Sequence, residues 1–254
     1  MKFLFVLILF IGLVIWSVCI EPYILTVKHI SVKDEKLKGL KVAFASDFHI
    51  KPYEKFRLQR IVKLINKQNA DIVLLGGDFV NGHDGSFTMP IEHISKELSK
   101  INPLPYAVIG NHDGWQGKEQ IISSLEKNNI KVLMNENICF EKFCIAGVDD
   151  MQTGKPDITK ALNGAYTPVI LLSHTPDIMP EVPYDVNLTL AGHLHGGQIR
   201  LNGAITVPSA YGKKYANGFL NDKGKKVYTT KGLGTSILPL RFNCFPEIVV
   251  INFN

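Results

Sequence analysis

The sequence predicts an α/β fold in which two sheets face each other and helices cover their outer sides. Three patterns lead there. Short, uniformly apolar runs at Val42–Ala45, Ile72–Leu75, Tyr106–Ile109, Val169–Leu172 and Leu188–Ala191 read as strands buried on both faces, because a half-exposed strand would alternate apolar with polar. Helical spacing lies between several of them: Phe56, Ile61, Leu64 and Ile65 form one stripe, and Ile121, Ile122 and Leu125 another. A hairpin over Asn137–Val148 and further strands at Ala204–Val207, Lys226–Thr230 and Ile248–Phe253 add enough strand for a second sheet. The chain has 254 residues, 46% hydrophobic and 20% charged, which suits one sizeable globular core and excludes a disordered, collagen-like or coiled-coil protein. A net charge of +5 is mild. It favours anionic substrates or a membrane surface, and no nucleic-acid binding is expected from it.

The amino terminus has its own character. Phe3 to Ile20 is apolar throughout except for Gly12 and Ser17, and the run stops at Glu21-Pro22. Its length as a helix, at roughly 1.5 Å per residue, comes close to the hydrocarbon thickness of a bilayer. A cleaved signal peptide would want a shorter apolar core and a small-x-small cleavage site, and the run contains no Ala. The expectation is a single-pass anchor in the cell membrane over residues 1–20, a Lys-rich connector over 21–39 with strand character at Ile24–Ile30, and one catalytic domain over 40–254. Lys2 lies before the span and Lys28, Lys33, Lys36 and Lys38 after it, so the charges point both ways, with an amino terminus in the cytoplasm as the weaker preference.

The polar residues cluster directly after strand ends. Asp47-Phe48-His49 follows the first strand and Gly77-Asp78 the second. Gly110-Asn111-His112-Asp113 follows the third, Ser173-His174 the next, and Gly192-His193-Leu194-His195-Gly196 the last. The carboxyl ends of strands line the ligand crevice in sheets of this kind, so these residues should meet in one pocket. Oxygen and imidazole donors without thiolates suit Mn, Zn, Fe, Ni or Mg. Residues two apart on an extended segment point to the same side, so Asp47 and His49 can reach one ion. The two oxygens of Asp78 can serve two ions roughly 3.5–4 Å apart, and His193 and His195 can each reach a different one. Any one of these motifs alone is most often an ordinary turn; their joint, ordered occurrence is what demands a function.

The order Asp-x-His, Gly-Asp, Gly-Asn-His-Asp, His, Gly-His-x-His resembles the calcineurin-like metallophosphoesterase superfamily over residues 40–254. The segments GHLHGGQ (192–198) and YTTKGLGTSILPLRFNCFPE (228–247) look like its short, membrane-associated bacterial branch, which includes phosphodiesterases and UDP-2,3-diacylglucosamine hydrolases of lipid A synthesis. The resemblance implies a four-layer α/β/β/α sandwich of two mixed sheets flanked by helices. It also implies two divalent cations, one held by Asp47, His49 and His195, the other by Asn111, His174 and His193, with Asp78 bridging. Two such cations would neutralise the phosphate and activate a water for in-line attack. His112 is then left as general acid, and Asp113 either orients His112 or caps the following helix. The implied activity is a phosphodiesterase or pyrophosphatase acting on a membrane-associated or nucleotide-linked lipid. A phosphomonoesterase is the alternative, and a non-catalytic membrane scaffold the remotest.

Smaller expectations complete the reading. Cys19, Cys139, Cys144 and Cys244 are too few for a disulfide framework. A hairpin turning at Glu141-Lys142 sets Cys139 opposite Cys144, where packed thiols are expected and a bridge is the alternative. Gln198 and Arg200 are either substrate contacts or loop residues, and His83 and Asp84 could rim the pocket. His29 and His93 read as surface residues, and Trp115 as cover for the core, with packing beside the site as the alternative. Lys213, Lys214, Lys223, Lys225, Lys226 and Lys231 read as a solvated basic face that would also be drawn to anionic lipid.

Overall fold

The computed structural model describes residues 2–82, 87–201, 205 and 207–254. His83 and Asp84 lie outside the described residues, as does part of the expected strand Ala204–Val207.

The chain opens with α1 (Lys2–Ile15), which continues as a π-type turn through Ile20 and a 3-10 turn to Tyr23. Lys2–Tyr23 spans 22 residues with a mean hydropathy of 3.0 and is almost wholly exposed, so it is long and apolar enough to cross a membrane. After it come β1 (Thr26–Val32), β2 (Lys41–Ala45), α2 (Lys55–Asn66), β3 (Ile72–Leu75), α3 (Ile91–Leu98) and β4 (Tyr106–Ala107). Next are α4 (Asn111–Lys127), β5 (Lys131–Val132), β6 (Glu136–Cys139), β7 (Cys144–Gly147) and α5 (Ile158–Leu162). The chain closes with β8 (Val169–Leu172), β9 (Val186–Ala191), β10 (Gly218–Asp222), β11 (Lys225–Thr229) and β12 (Glu247–Phe253).

The strands build two mixed sheets, ordered β1-β12-β2-β3-β4-β5 and β10-β11-β9-β8-β7-β6. The period of two along each strand sorts its apolar side chains between layers. Val42 and Phe44 of β2 face the second sheet, joining Leu74, Ile170, Leu172, Leu188 and Leu190 in the central core. Ala43 and Ala45 face the other way, against Leu58, Ile61, Ile94 and Leu125 of α2, α3 and α4. On the far side of the second sheet, Ala146, Leu171 and Val227 pack under Ala161 of α5 and the 3-10 turn holding Ile178. Each fully buried side chain such as Phe44 contributes about 1.5–3 kcal/mol by leaving water. The architecture is the four-layer α/β/β/α sandwich, with a thin fourth layer because α5 has only five residues.

One expectation needs correction here and another gains detail. The strand character expected at Ile24–Ile30 within segment 21–39 takes the form of β1, which pairs in parallel with β12 over its full length, Thr26 against Glu247 through Val32 against Phe253. Its Lys28 and His29 point to solvent because β1 is an edge strand, which is why its pattern reads as polar. Cys139 and Cys144 are not packed thiols but a disulfide, joining the facing ends of β6 and β7.

Candidate metal centre

The site forms where the carboxyl ends of β2, β3 and β4 meet those of β8 and β9 across the sandwich. Asp47, His49, Asp78, His193 and His195 all sit in loops just past a strand with positive φ, between 42° and 69°. Non-glycine residues adopt this left-handed region uncommonly, and strain of this kind gathers at functional sites. The backbone is held there by cross-loop hydrogen bonds: Asp47 N donates to Gly77 O at 2.9 Å, and His49 N to Asp78 O at 2.9 Å. Gly110 is required by close approach, since a Cβ there would overlap Asp78 Oδ1 and the ring of His174.

Two groups of ligand atoms result. Asp47, His49, Asp78 and His195 form one, and Asp78, His174 and His193 the other, each with its donor atoms within 4.8 Å of one another. Asp78 belongs to both. Asn111 joins the second group through Oδ1, which lies 3.0 Å from His174 Nε2 and 2.9 Å from His193 Nδ1. His49 Nε2 faces His195 Nε2 at 3.1 Å. Asp78 Oδ2 lies 3.4 Å from His49 Nε2 and 3.2 Å from His174 Nε2. All seven residues expected as ligands therefore converge, and all are buried.

The donor chemistry fits divalent cations. His174 Nδ1 lies 2.8 Å from the carbonyl of Gly76 and so must carry the proton in the neutral ring. Its Nε2 lone pair then faces the oxygens of Asp78 and Asn111, an array of acceptors that a cation satisfies. Asp47 Oδ2, buried within the first group, has no hydrogen-bond partner among the described residues. The protein alone resolves this crowding by charge. Burial opposes ionisation of Asp78, but His174 and His49 outweigh it and hold the carboxyl well below its usual range. Burial likewise disfavours His174 as a cation, yet Asp78 pulls its pKa up to about 10. Burial and then the His174 charge push His193 down to about 4, and burial raises Asp47 to about 6.

His112 and Asp113 take different positions from each other. His112 lines a cavity of about 560 Å³ above the ligands. Its Nδ1 is 2.6 Å from the Gly82 carbonyl, and its Nε2 is 3.3 Å from Ser236 Oγ. Asp113 does not orient this ring. Its Oδ2 accepts from the N–H groups of Asp78 at 2.8 Å and Gly110 at 3.0 Å, and its Oδ1 from Phe79 at 2.8 Å and Val80 at 3.3 Å. It closes the first turn of α4 by accepting from the N–H of Gly110, the residue that precedes the helix, and pins the loop that presents Asp78. Burial and the neighbouring Asp78 charge raise its pKa to about 7.

Other residues fall into place around the cavity. Trp115 does not cover the core: it is 41% exposed, edge-on to His112 at 5.0 Å between ring centroids, and lines the cavity. The reason is the tight first turn of α4, which carries it to the same side as His112. Gln198 lines the cavity and bonds Ser236 through both ends of its amide. Arg200 lies outside the cavity, in a groove with Trp16. His29 and His93 are exposed. Of the basic residues, Lys214 pairs with Asp222 at 2.6 Å and Lys231 with Glu247 at 3.4 Å. Sequence reasoning missed Gln152, whose Nε2 lies 3.1 Å from His193 Nε2. Reading one more strand end would have found it, because Asp149-Asp150 follow β7 as the ligand motifs follow their strands, and Asp150 holds the turn by accepting from Gln152 N.

Comparison with known proteins agrees with this geometry. The chain is 33% identical to the phosphodiesterase YaeI of Escherichia coli, over 83% of this chain and 81% of that one. It is 31% identical to the metallophosphoesterase YkuE of Bacillus subtilis, over 91% and 86%. A metallophosphoesterase of Aquifex aeolicus is 30% identical over 91% and 93%. The model of the calcineurin-like phosphoesterase family matches residues 40–197, the stretch that runs from β2 to the last of the clustered histidines. With that match and these relatives, the chain belongs to the calcineurin-like phosphoesterases and is a metal-dependent phosphoric ester hydrolase.

Proposed function

We propose that the protein is a membrane-anchored phosphodiesterase or pyrophosphatase whose substrate is membrane-associated, such as a nucleotide-linked lipid. The observation that carries the reading is the membership of Asp78 in both ligand groups, which would make one carboxylate common to two candidate cation sites. Asp47, His49 and His195 would hold one ion and Asn111, His174 and His193 the other. When bound, the pair supplies charge neutralisation of the phosphate and an activated water.

The chain's own groups do the rest. Gly82 accepts the Nδ1 proton of His112, which leaves Nε2 facing the cavity. Protonated there, His112 gives its proton to the departing oxygen, and Ser236 Oγ steadies the ring. Asp113 keeps Asp78 and the start of α4 in register, so its contribution is positional. The cavity of about 560 Å³ has room for groups on both sides of a phosphorus, which supports a diester over a monoester. The phosphodiesterase name of the Escherichia coli relative supports the same choice. The apolar helix Lys2–Tyr23 supports the membrane anchor, and with it a lipidic substrate met at high effective concentration.

The test is hydrolysis by the full-length protein in detergent with added Mn²⁺, offered a generic phosphodiester, a phosphomonoester and UDP-2,3-diacylglucosamine. Diester turnover should exceed monoester turnover, and His112→Asn should lower kcat by about 10²–10⁴-fold. Monoester preference would replace this reading with a phosphatase. Diester cleavage without turnover of the nucleotide-linked lipid would remove only that substrate.

A further inference from the structure

The cavity has a polar floor and an apolar mouth. Asp78, Asn111, His112, His193 and His195 line its base, while Leu201, Pro208, Ile237 and Leu238 line its opening. These apolar groups are unusually bare: Ile237 is 91% exposed, Leu201 57% and Leu238 49%. Ile237 also has φ of +63°, an outlying conformation for a β-branched residue. The turn thus holds its most exposed apolar side chain outward on a strained backbone, which folding in water alone does not explain.

The same turn is joined to the end of the apolar helix. Arg241 N donates to Ser17 O at 2.9 Å, and Cys244 N donates to the buried Glu21 carboxylate at 2.5 Å. Glu21 in turn accepts from the Trp16 indole at 2.7 Å. Pro239 shares a cleft with Val18 and Pro22. Leu201, at the cavity mouth, also lines a groove with Trp16 and Arg200. The mouth and the last turns of the helix therefore occupy one face at one level. A Trp ending a membrane helix seeks the lipid–water boundary, and an Arg beside it suits phosphate headgroups.

We infer that Leu201 and the turn Ile237–Leu238–Pro239 dip into the bilayer surface beside the anchor, so that the catalytic cavity opens onto lipid instead of bulk water. The occupant of this apolar face is the bilayer itself, because the face is continuous with the membrane-spanning helix. The inference rests on the anchored reading given above and on no particular substrate. It makes the mouth a lateral gate, through which a lipidic phosphoester reaches the metals while its apolar part stays in the membrane.

The test places a nitroxide label at Ile237→Cys, and separately at Leu238→Cys, in the full-length protein carrying Cys19→Ser. The buried Cys244 and the bridged Cys139 and Cys144 do not compete for the label. Lys160→Cys on the exposed face of α5 is the aqueous control. In vesicles of phosphatidylethanolamine and phosphatidylglycerol, relaxation by oxygen relative to a water-soluble nickel chelate is compared among the three sites. The ratio should be several-fold higher at both mouth positions than at Lys160→Cys. A ratio equal to the control would overturn the inference, and dipolar broadening between labels would overturn it in favour of a second copy of the chain. Because no substrate is present, this outcome is independent of which phosphoester the enzyme cleaves.

Discussion

Arg241 offers a sharp test of how the site is held. Its side chain is fully buried, yet it makes no carboxylate ion pair among the described residues. Instead Nε and Nη2 donate to Gly234 O at 3.0 and 2.6 Å, Nη1 to Cys244 O at 3.0 Å, and Nη2 also to Lys231 O at 2.8 Å and Gly232 O at 3.3 Å. These carbonyls belong to the segment that backs the first ligand group: Leu233 N donates to Ser46 O at 3.0 Å and Gly234 N to Asp47 O at 2.5 Å. Gly232 lies so close that a Cβ would sit 2.6 Å from Asp47 Cβ. Replacing Arg241 with Met keeps most of the volume and strands three carbonyls, since Gly232 O still accepts from Glu247 N at 3.1 Å. At roughly 1–3 kcal/mol for each buried group left unmade, the loss is about 3–9 kcal/mol. Removing a buried charge returns several kcal/mol of desolvation, so the net cost is about 3–5 kcal/mol. For a domain of this size that corresponds to a fall in Tm of about 6–20 °C. The assay is thermal unfolding of the detergent-solubilised full-length protein, beside Arg200→Met as a half-exposed control that should not shift. Arg241→Lys should recover little, because one ammonium cannot span the fork of acceptors. If Arg241→Met unfolds within about 3 °C of the parent and hydrolyses at the parental rate, the carbonyls do not depend on the guanidinium and the reasoning fails.

Asp113→Asn keeps shape but aims an amide N–H₂ at two N–H donors that now meet a carboxylate, so it should cost about 1–3 kcal/mol by chemical unfolding and lower metal affinity through Asp78. Unchanged stability and metal affinity would show that the Asp113 carboxylate is dispensable. Removing metal with a chelator should lower Tm by about 5–10 °C, restored by Mn²⁺ present at about 100 times its Kd. A Tm indifferent to both chelator and Mn²⁺ would dismiss the cation sites.

How much of the fold was legible depended on burial. β2, β3, β8 and β9 lie in sheet interiors, apolar on both faces, and their runs stand out in the sequence. Edges were less legible for the converse reason. β10 has no fully buried residue in Gly218–Asp222 and reads as loop until its partner strand is known, while β1, with Lys28 and His29 toward water, shows strand character only over Ile24–Ile30. The two-residue β5 is set only by pairing with β4. α3 carried a usable signal that went unread, with Pro90 before Ile91, Ile94 and Leu98 at helical spacing. The Cys139–Cys144 bridge was undecidable in sequence because a hairpin register shifted by one residue would turn the two thiols to opposite faces.

The ligand residues were legible because their logic is local. A strand end followed by Asp or His at a spacing of two can be recognised without knowing what lies across the sandwich. What holds them is not local. Arg241 and Asp113 bind backbone groups brought together by the fold, and Glu247 Oε1 joins one backbone and one side-chain donor, Lys231 N and the Tyr228 hydroxyl, both at 3.1 Å. No motif announces a side chain whose partners are main-chain groups. The conformational state of the ligands was equally hidden, since Asp47, His49, Asp78, His193 and His195 adopt left-handed backbone that sequence does not advertise outside glycine. At about 1 kcal/mol each, this strain is comparable to a sizeable part of a domain's net stability of about 5–15 kcal/mol. The frame must therefore be stable without the ligands' help, which is why the scaffold side of the site is built from buried arginine and carboxylate hydrogen bonds and not from packing alone. The same balance explains why chelation and Arg241→Met should act in the same direction: cations and guanidinium hold opposite sides of one strained set of loops.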